Sequence, residues 1–245
     1  MAIVYKIYNI YDKIFSNKLE KDISEISTKI KKKKITIYDI GCYTGSFSAR
    51  LEEQLKKKFK TKYYLFDPNL DVKNEVKKRK FNYKFFSIAA SNKEGTSKFN
   101  LNTQNSWSGS SLVSIQKNSK LFNFSRNLIS LNIGKKLFKT IFVKTTTLDK
   151  FIKKKNTKVV DILKIDVEGA ELKVLHGFSK NISNTKIVYV EVLDEKKKWK
   201  KKFTKIERFM KKNNFYLFKT RRIIEGSILS SLKIVDALYV NKSLK

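Results

Sequence analysis

The sequence predicts an α/β fold: a mostly parallel sheet with helices on both faces. Three stretches predict it, over residues 35–46, 62–69 and 159–171. In each, branched or aromatic residues run into acids or glycines, and in the first and third helical spacing follows. Strand ends of this kind are where open α/β sheets hold ligands. The chain has 245 residues, 41% of them hydrophobic, enough to bury one sizeable core. Strands alternate with helices throughout, so a single domain is expected over residues 35–245, with a helical extension over 1–34.

In that extension Ile3, Val4, Ile7, Tyr8, Tyr11, Ile14, Phe15, Leu19, Ile23, Ile26 and Ile30 recur every three or four residues. This spacing gives one long or two short amphipathic helices, packed on the sheet edge or laid on a membrane surface. The first strand, from Ile35, ends at Asp39-Ile40 and passes to Gly41 and Gly45, after which Phe47, Ala49, Arg50 and Leu51 take helical spacing. Glycines there let the backbone turn sharply and let a ligand approach the helix N-terminus. The loop does not match the dinucleotide fingerprint GxGxxG.

The second strand, Lys62–Phe66, ends in Asp67-Pro68-Asn69. An acid about 20 residues beyond a glycine loop is where ribose hydroxyls are gripped. Pro68, the sole proline, stiffens that turn and keeps Asp67 extended. A third strand is expected over Tyr83–Ala89, and further short strands over Thr96–Leu101 and Ile141–Thr146. Residues 102–139 between them are too long and polar for a plain connector, which suggests an acceptor-binding insertion. Its Trp107 either stacks on a sugar or ring face or simply packs, and Ser110 and Ser111 are candidate substrate contacts.

The strand from Val159 to Ile165 delivers Asp166 and Glu168 to its end, and Gly169 opens a helix carrying Glu171 in its first turn. Paired carboxylates there orient or deprotonate a substrate; alternatively Glu168 and Glu171 only cap and charge the helix. Lys164 shares a strand face with Asp166. It either keeps that carboxylate ionised or reaches solvent. His176, before Gly177, reads as a helix-end residue. A fifth strand, Ile187–Val192, ends near Glu191. It is followed by a helix around Trp199–Asn213 and two strands, Phe215–Thr220 and Ala237–Asn241, joined by a long basic link.

Composition narrows the function. No apolar run approaches the 18 or so residues of a membrane span, and the N-terminus lacks the pattern of a signal peptide. One cysteine excludes an internal disulfide and fits a cytoplasmic protein. One histidine and one cysteine exclude zinc, and no metal ligands are assigned, although oxygen ligands for magnesium are at hand. The net charge of +33 suggests polyanions, yet only six of 55 basic residues are arginine, the residue that reads phosphates and bases bidentately. Specific nucleic-acid binding is therefore not expected. Loose attraction to anionic surfaces is.

Taken in order, these residues resemble the FkbM-type family of S-adenosylmethionine-dependent methyltransferases. The matching pieces are YDIGCYTGSFS at 38–48, YLFDPN at 64–69, FFSIAASNKEGTSKFNL at 85–101, SGSSL at 108–112, VKTTTLDKF at 143–151, VDILKIDVEGAELKVLHGF at 160–178 and IVYVEV at 187–192. The resemblance covers about residues 35–220, with LKIDVEGAE its most specific part. Cys42-Tyr43 departs from it, standing where the family more often has small or polar residues.

The resemblance implies a class I methyltransferase-like, Rossmann-like three-layer sandwich with a closing antiparallel strand. It implies that Asp39, Gly41, Tyr43, Thr44, Gly45 and Ser46 hold the methionine end of S-adenosylmethionine. Asp67, beside Phe66, Pro68 and Asn69, would hold the ribose; Ala89 and Ala90 would lie by the adenine, and Asp166 near the sulfonium. The reaction expected is O-methylation of a sugar or secondary-metabolite hydroxyl, with Asp166 or Glu168 taking the proton, Glu191 behind them and Lys164 near the acceptor. A nicotinamide-dependent oxidoreductase, a catalytically silent binding module for a charged polymer, and RNA methylation are the alternatives.

Overall fold

Among the described residues ten strands form two sheets, one of seven strands and one of three. The computed structural model describes residues 18–102, 110–113, 138–155, 159–225 and 232–244. In the main sheet β1 (Lys34–Ile40), β2 (Lys60–Phe66), β3 (Tyr83–Phe86), β7 (Ile162–Ile165) and β8 (Ile187–Glu195) run parallel, while β9 (Phe215–Glu225) and β10 (Leu232–Asn241) form an antiparallel pair. The spatial order is β3-β2-β1-β7-β8-β10-β9. This is the α/β architecture expected, with β10 as the closing strand inserted between β8 and β9.

Side-chain alternation decides which helix covers which face. Tyr38 and Ile40 of β1, Tyr64 and Phe66 of β2, and Val188, Val190 and Val192 of β8 face one way. Against them pack α4 (Leu148–Lys155) through Phe151 and Ile152, α5 (Glu171–His176) through Val174 and Leu175, and α6 (Lys196–Lys212) through Ile206 and Met210. Ile35, Ile37, Tyr63, Leu65, Ile187 and Tyr189 face the other way, onto α1 (residues 18–27) through Leu19, Ile23 and Ile26, and onto α2 (Ser46–Leu55) through Phe47, Leu51 and Leu55. The result is three layers. Between β2 and β3 lies the short helix α3 (Val72–Lys77).

Four expected strands differ in the structure. The strand expected over Tyr83–Ala89 breaks after Phe86: β4 (Ala89–Ala90) leaves the main sheet and pairs with Thr145 and Thr146 of β6 (Phe138–Thr146). With β5 (Gly95–Asn102) these make a second sheet in the order β4-β6-β5. Just past β4, the end of α5 comes so close that a Cβ on Gly177 would lie 1.9 Å from the carbonyl oxygen of Ser91. β8 continues past Val192 to Glu195, and the last two strands are longer than the sequence suggested, since β10 has partners on both sides for most of its length. Their link is correspondingly short, residues 226–231. Of the helical extension, residues 18–27 form α1; positions 1–17 and Trp107, with most of the 102–139 insertion, lie outside the described residues.

Candidate functional site

The C-terminal ends of β1, β2 and β7 surround a cavity, and backbone geometry forces its floor. Gly41 has φ +78°, its N–H donates to the Phe66 carbonyl at 2.9 Å, and a Cβ there would stand 1.7 Å from the carbonyl oxygen of Asp166. Only glycine lets β1 turn this close to the end of β7. Of the residues singled out from the sequence, Gly41, Tyr43, Phe66, Asp67, Pro68, Asn69, Ala89, Ala90, Ser110, Asp166 and Glu168 line the cavity. Ile88, Phe99 and Leu112 add an apolar wall.

Asp67 is set by its own turn. Its carboxylate accepts the N–H of Tyr43 at 3.1 Å and that of Asn69 at 2.9 Å. Burial pushes its pKa up to about 6, those two hydrogen bonds offsetting part of the rise. Asn69 is 3% exposed; its Oδ1 accepts the N–H of Asp71, while its buried Nδ2 has no hydrogen-bond partner. Buried polar groups are as a rule hydrogen-bonded, so this one stands out.

The other expected loop residues stand behind the cavity. Asp39 is fully buried, accepting from the Ser48 hydroxyl at 2.6 Å and pairing with Lys164 at 3.0 Å. The Thr44 carbonyl accepts from Arg79 at 3.0 Å, and Gly45, at φ 70°, is the residue from which α2 starts at Ser46. Asp39, Thr44, Gly45 and Ser46 shape the loop; they are not in the lining.

Lys164 is 4% exposed and does not reach solvent. Its Nζ donates to the Gly41 carbonyl at 2.8 Å and pairs with Asp39 at 3.0 Å and Asp166 at 3.2 Å. Burial works against its charge, but the carboxylates of Asp166 and Asp39 outweigh that and raise its pKa, so it stays an ammonium. Of the two readings open for it in the sequence, it pairs with the carboxylates.

Asp166, Glu168 and Glu191 each bring a carboxylate oxygen within 4.8 Å of the others. Hard cations take oxygen ligands at such spacings, so these three are the ligands that a magnesium ion would use. Behind them, Asp236 of β10 stands directly opposite Glu191 and accepts the hydroxyl of Tyr189. Burial first, and then the charges of Asp166 and Asp236, push Glu191 well above the usual carboxylate range. Burial likewise pushes Asp236 up to about 7, against the opposing hydrogen bond from Tyr189.

The loop after β7 is held from below. Glu171 is fully buried, accepts the Gly169 N–H at 2.6 Å and pairs with Lys202 of α6, which also donates to the carbonyls of Gly169 and Leu193 at 2.7 Å each. Ser111, expected to touch substrate, is instead 4% exposed; its hydroxyl donates to the Glu168 carbonyl at 2.7 Å and lies 3.1 Å from that of Val167. Glu168 itself sits at φ 51°, a left-handed conformation uncommon for its type. Lys202, Tyr189 and Asp236 were not singled out from sequence. A signal existed: Lys202 falls on the stripe of Trp199, Ile206 and Met210, and Asp236 interrupts an alternating apolar strand.

Residues 39–217 match the family model described as Methyltransferase FkbM domain. No curated protein matches the chain. Among solved structures it is similar to a putative RNA methyltransferase from Pyrococcus horikoshii, at 12% identity and TM-score 0.42, over 91% of this chain and 84% of that one. It is also similar to the plantazolicin methyltransferase BpumL in complex with SAH, at 11% identity and TM-score 0.46, over 97% and 90%. A third is TYW2 from M. jannaschii in complex with AdoMet, at 11% identity and TM-score 0.39, over 89% and 75%.

Proposed function

The chain belongs to the FkbM methyltransferase family, and from that premise we propose that it is an S-adenosylmethionine-dependent O-methyltransferase acting on a hydroxyl of a sugar or a secondary metabolite. The cavity fits the cofactor by its own chemistry. Asp67 offers a carboxylate to the ribose hydroxyls, and Ile88, Ala89, Phe99 and Leu112 give a purine an apolar slot. Gly41 keeps the floor free of any side chain, so that a ligand can lie against the backbone.

Bound there, S-adenosylmethionine supplies a methyl group already activated for displacement. The residues then have to align an acceptor oxygen and exclude water; alignment of this kind is worth on the order of 7 to 11 kcal/mol in favourable cases. Asp166 and Glu168 stand at the cavity wall within reach of that oxygen, and one of them takes its proton. Glu191, whose proton affinity burial and its neighbours raise, is placed to share it. The observation that carries this reading is that Asp166 and Glu168 line the same cavity as Asp67, with Glu191 bringing a carboxylate oxygen within 4.8 Å of both.

The acceptor class rests on the family resemblance and on the scarcity of arginine, which disfavours RNA. The test is a radiolabelled-methyl assay against a panel of glycans, hydroxylated metabolites and RNA, run beside calorimetry with S-adenosylhomocysteine. Transfer to a hydroxylated small molecule or glycan is expected. Transfer to RNA alone would overturn the acceptor class. Cofactor binding with no transfer across a broad panel would favour the binding module.

A further inference from the structure

We propose that the layer of helices α4, α5 and α6 is a docking face for an anionic lipid surface. The two helical layers of the fold are charged very differently. Helices α4, α5 and α6 carry fourteen exposed lysines and arginines and, among the described residues, no exposed acid. Over a similar length of helix, α1, α2 and α3 carry four exposed lysines and two exposed acids, Glu25 and Glu53. A lysine excess arising from composition alone would fall on both layers alike. Here it is segregated.

The few acids of the basic layer turn away from solvent. Glu171 is fully buried and pairs with Lys202, the one basic residue of α6 that is not exposed. Asp149 accepts the side-chain amide of Asn181 at 2.7 Å and the backbone N–H of Lys180 at 3.0 Å. Glu207 is half-buried. From outside these helices Glu94 reaches Lys150 and Glu195 reaches Lys198, and neither changes the sign of the face.

The shape of the face and its residue type select the partner. Phe151 of α4 packs on Tyr38, Tyr64 and Phe86 of β1, β2 and β3, while α6 lies over β8, β9 and β10. The charge is thus spread across the width of a seven-stranded sheet, roughly 30 Å. A plane of anionic headgroups meets all three helices at once, whereas a polymer strand follows a groove or a single line of charges. Only Arg208 among the fourteen is an arginine, so the face lacks the forks that grip individual phosphates of a nucleic acid. Lysine suits diffuse attraction to a charged surface, felt within about 8 Å at physiological salt. The apolar sides of the same helices pack on the sheet, so the contact is electrostatic and needs no insertion. None of the fourteen lines the cavity at the strand ends. Docking therefore places that cavity at the rim of the contact, not beneath it, and the inference stands apart from the cofactor and acceptor readings.

The experiment is co-sedimentation of the full chain with vesicles of phosphatidylcholine and phosphatidylglycerol, three to one, at physiological salt. Vesicles of phosphatidylcholine alone, heparin and duplex RNA are run beside them. Binding to the mixed vesicles and not to phosphatidylcholine alone is expected. The variant Lys153→Gln, Lys173→Gln, Lys201→Gln, Lys205→Gln should weaken it by at least about thirtyfold, since each lysine near such a surface contributes roughly fivefold. Lys21→Gln, Lys57→Gln, Lys73→Gln, Lys77→Gln removes the same charge from the opposite side and should weaken it less than about threefold. All eight positions are exposed, so neither variant disturbs the core. No binding to the mixed vesicles, wild-type binding by the first variant, or equal losses in the two would overturn the docking face. Tighter binding to heparin or RNA per anionic charge, lost in the first variant, would assign the face to a soluble polyanion and overturn the lipid surface.

Discussion

Asp67, proposed to hold the ribose, is buried at a cost to the folded protein. Its carboxylate titrates near pH 6 in the fold and near the ordinary aspartate value when unfolded. The native state thus binds the extra proton between about pH 4 and 6, and stability falls as pH rises through that window. On the proposed ribose role, ligand binding runs the opposite way, because the hydroxyls donate to the ionised form. S-adenosylhomocysteine affinity, measured by calorimetry, should therefore decline as pH drops through about 6. Asp67→Ala should weaken it at neutral pH by about 1.5–3 kcal/mol, the loss of hydrogen bonds to a charged acceptor. For the carboxylates of the wall the readout is rate. Asp166→Asn or Glu168→Gln, or both, should slow methyl transfer by about 10²–10⁴-fold. S-adenosylhomocysteine affinity should stay within about threefold, since tenfold corresponds to 1.4 kcal/mol. Wild-type turnover in both variants would reduce these residues to helix-start structure.

At the scale of elements, the loop after β7 depends on one buried ion pair from a distant helix. Lys202→Met leaves Glu171 charged, fully buried and without its cation, an arrangement that costs about 3–5 kcal/mol. Chemical denaturation should show a loss of that order, and the double variant Lys202→Met, Glu171→Leu should recover most of it, because replacing both charges removes the desolvation cost. The same loop shows what a sequence can and cannot disclose. Gly41, Asp67 and the Asp166–Glu168 strand end are local patterns, so strand, turn and helix spacing sufficed to place them. Asp39 and Lys164 were visible as residues at strand ends, but their pairing spans 125 residues and is decided by the β1–β7 register. Lys202 is one lysine in a run of them, told apart only by the face it occupies. Asp236 becomes part of the site because β10 is inserted beside β8 with that residue opposite Glu191, which no local spacing encodes.

For the whole molecule, the excess of lysine sits largely outside the site: every lysine or arginine on α6 except Lys202 is exposed. Binding to duplex DNA or RNA should accordingly collapse between low and physiological salt and show no sequence preference in a filter-binding or anisotropy assay. Sequence-selective binding that survives physiological salt would reopen RNA as the acceptor. The strand order has a consequence for how the protein is made. β10 follows β9 in the chain yet lies between β8 and β9, so during synthesis β8 waits with a bare edge until the last of these strands has left the ribosome. That edge is nine residues long, and six of them are buried once the sheet is complete. Until then it is open to another nascent chain, or to β9 in the wrong place. Yield in the cell should thus depend on how quickly the ribosome delivers the stretch from β8 to β10, and slow codons there should cost more soluble protein than slow codons before β7.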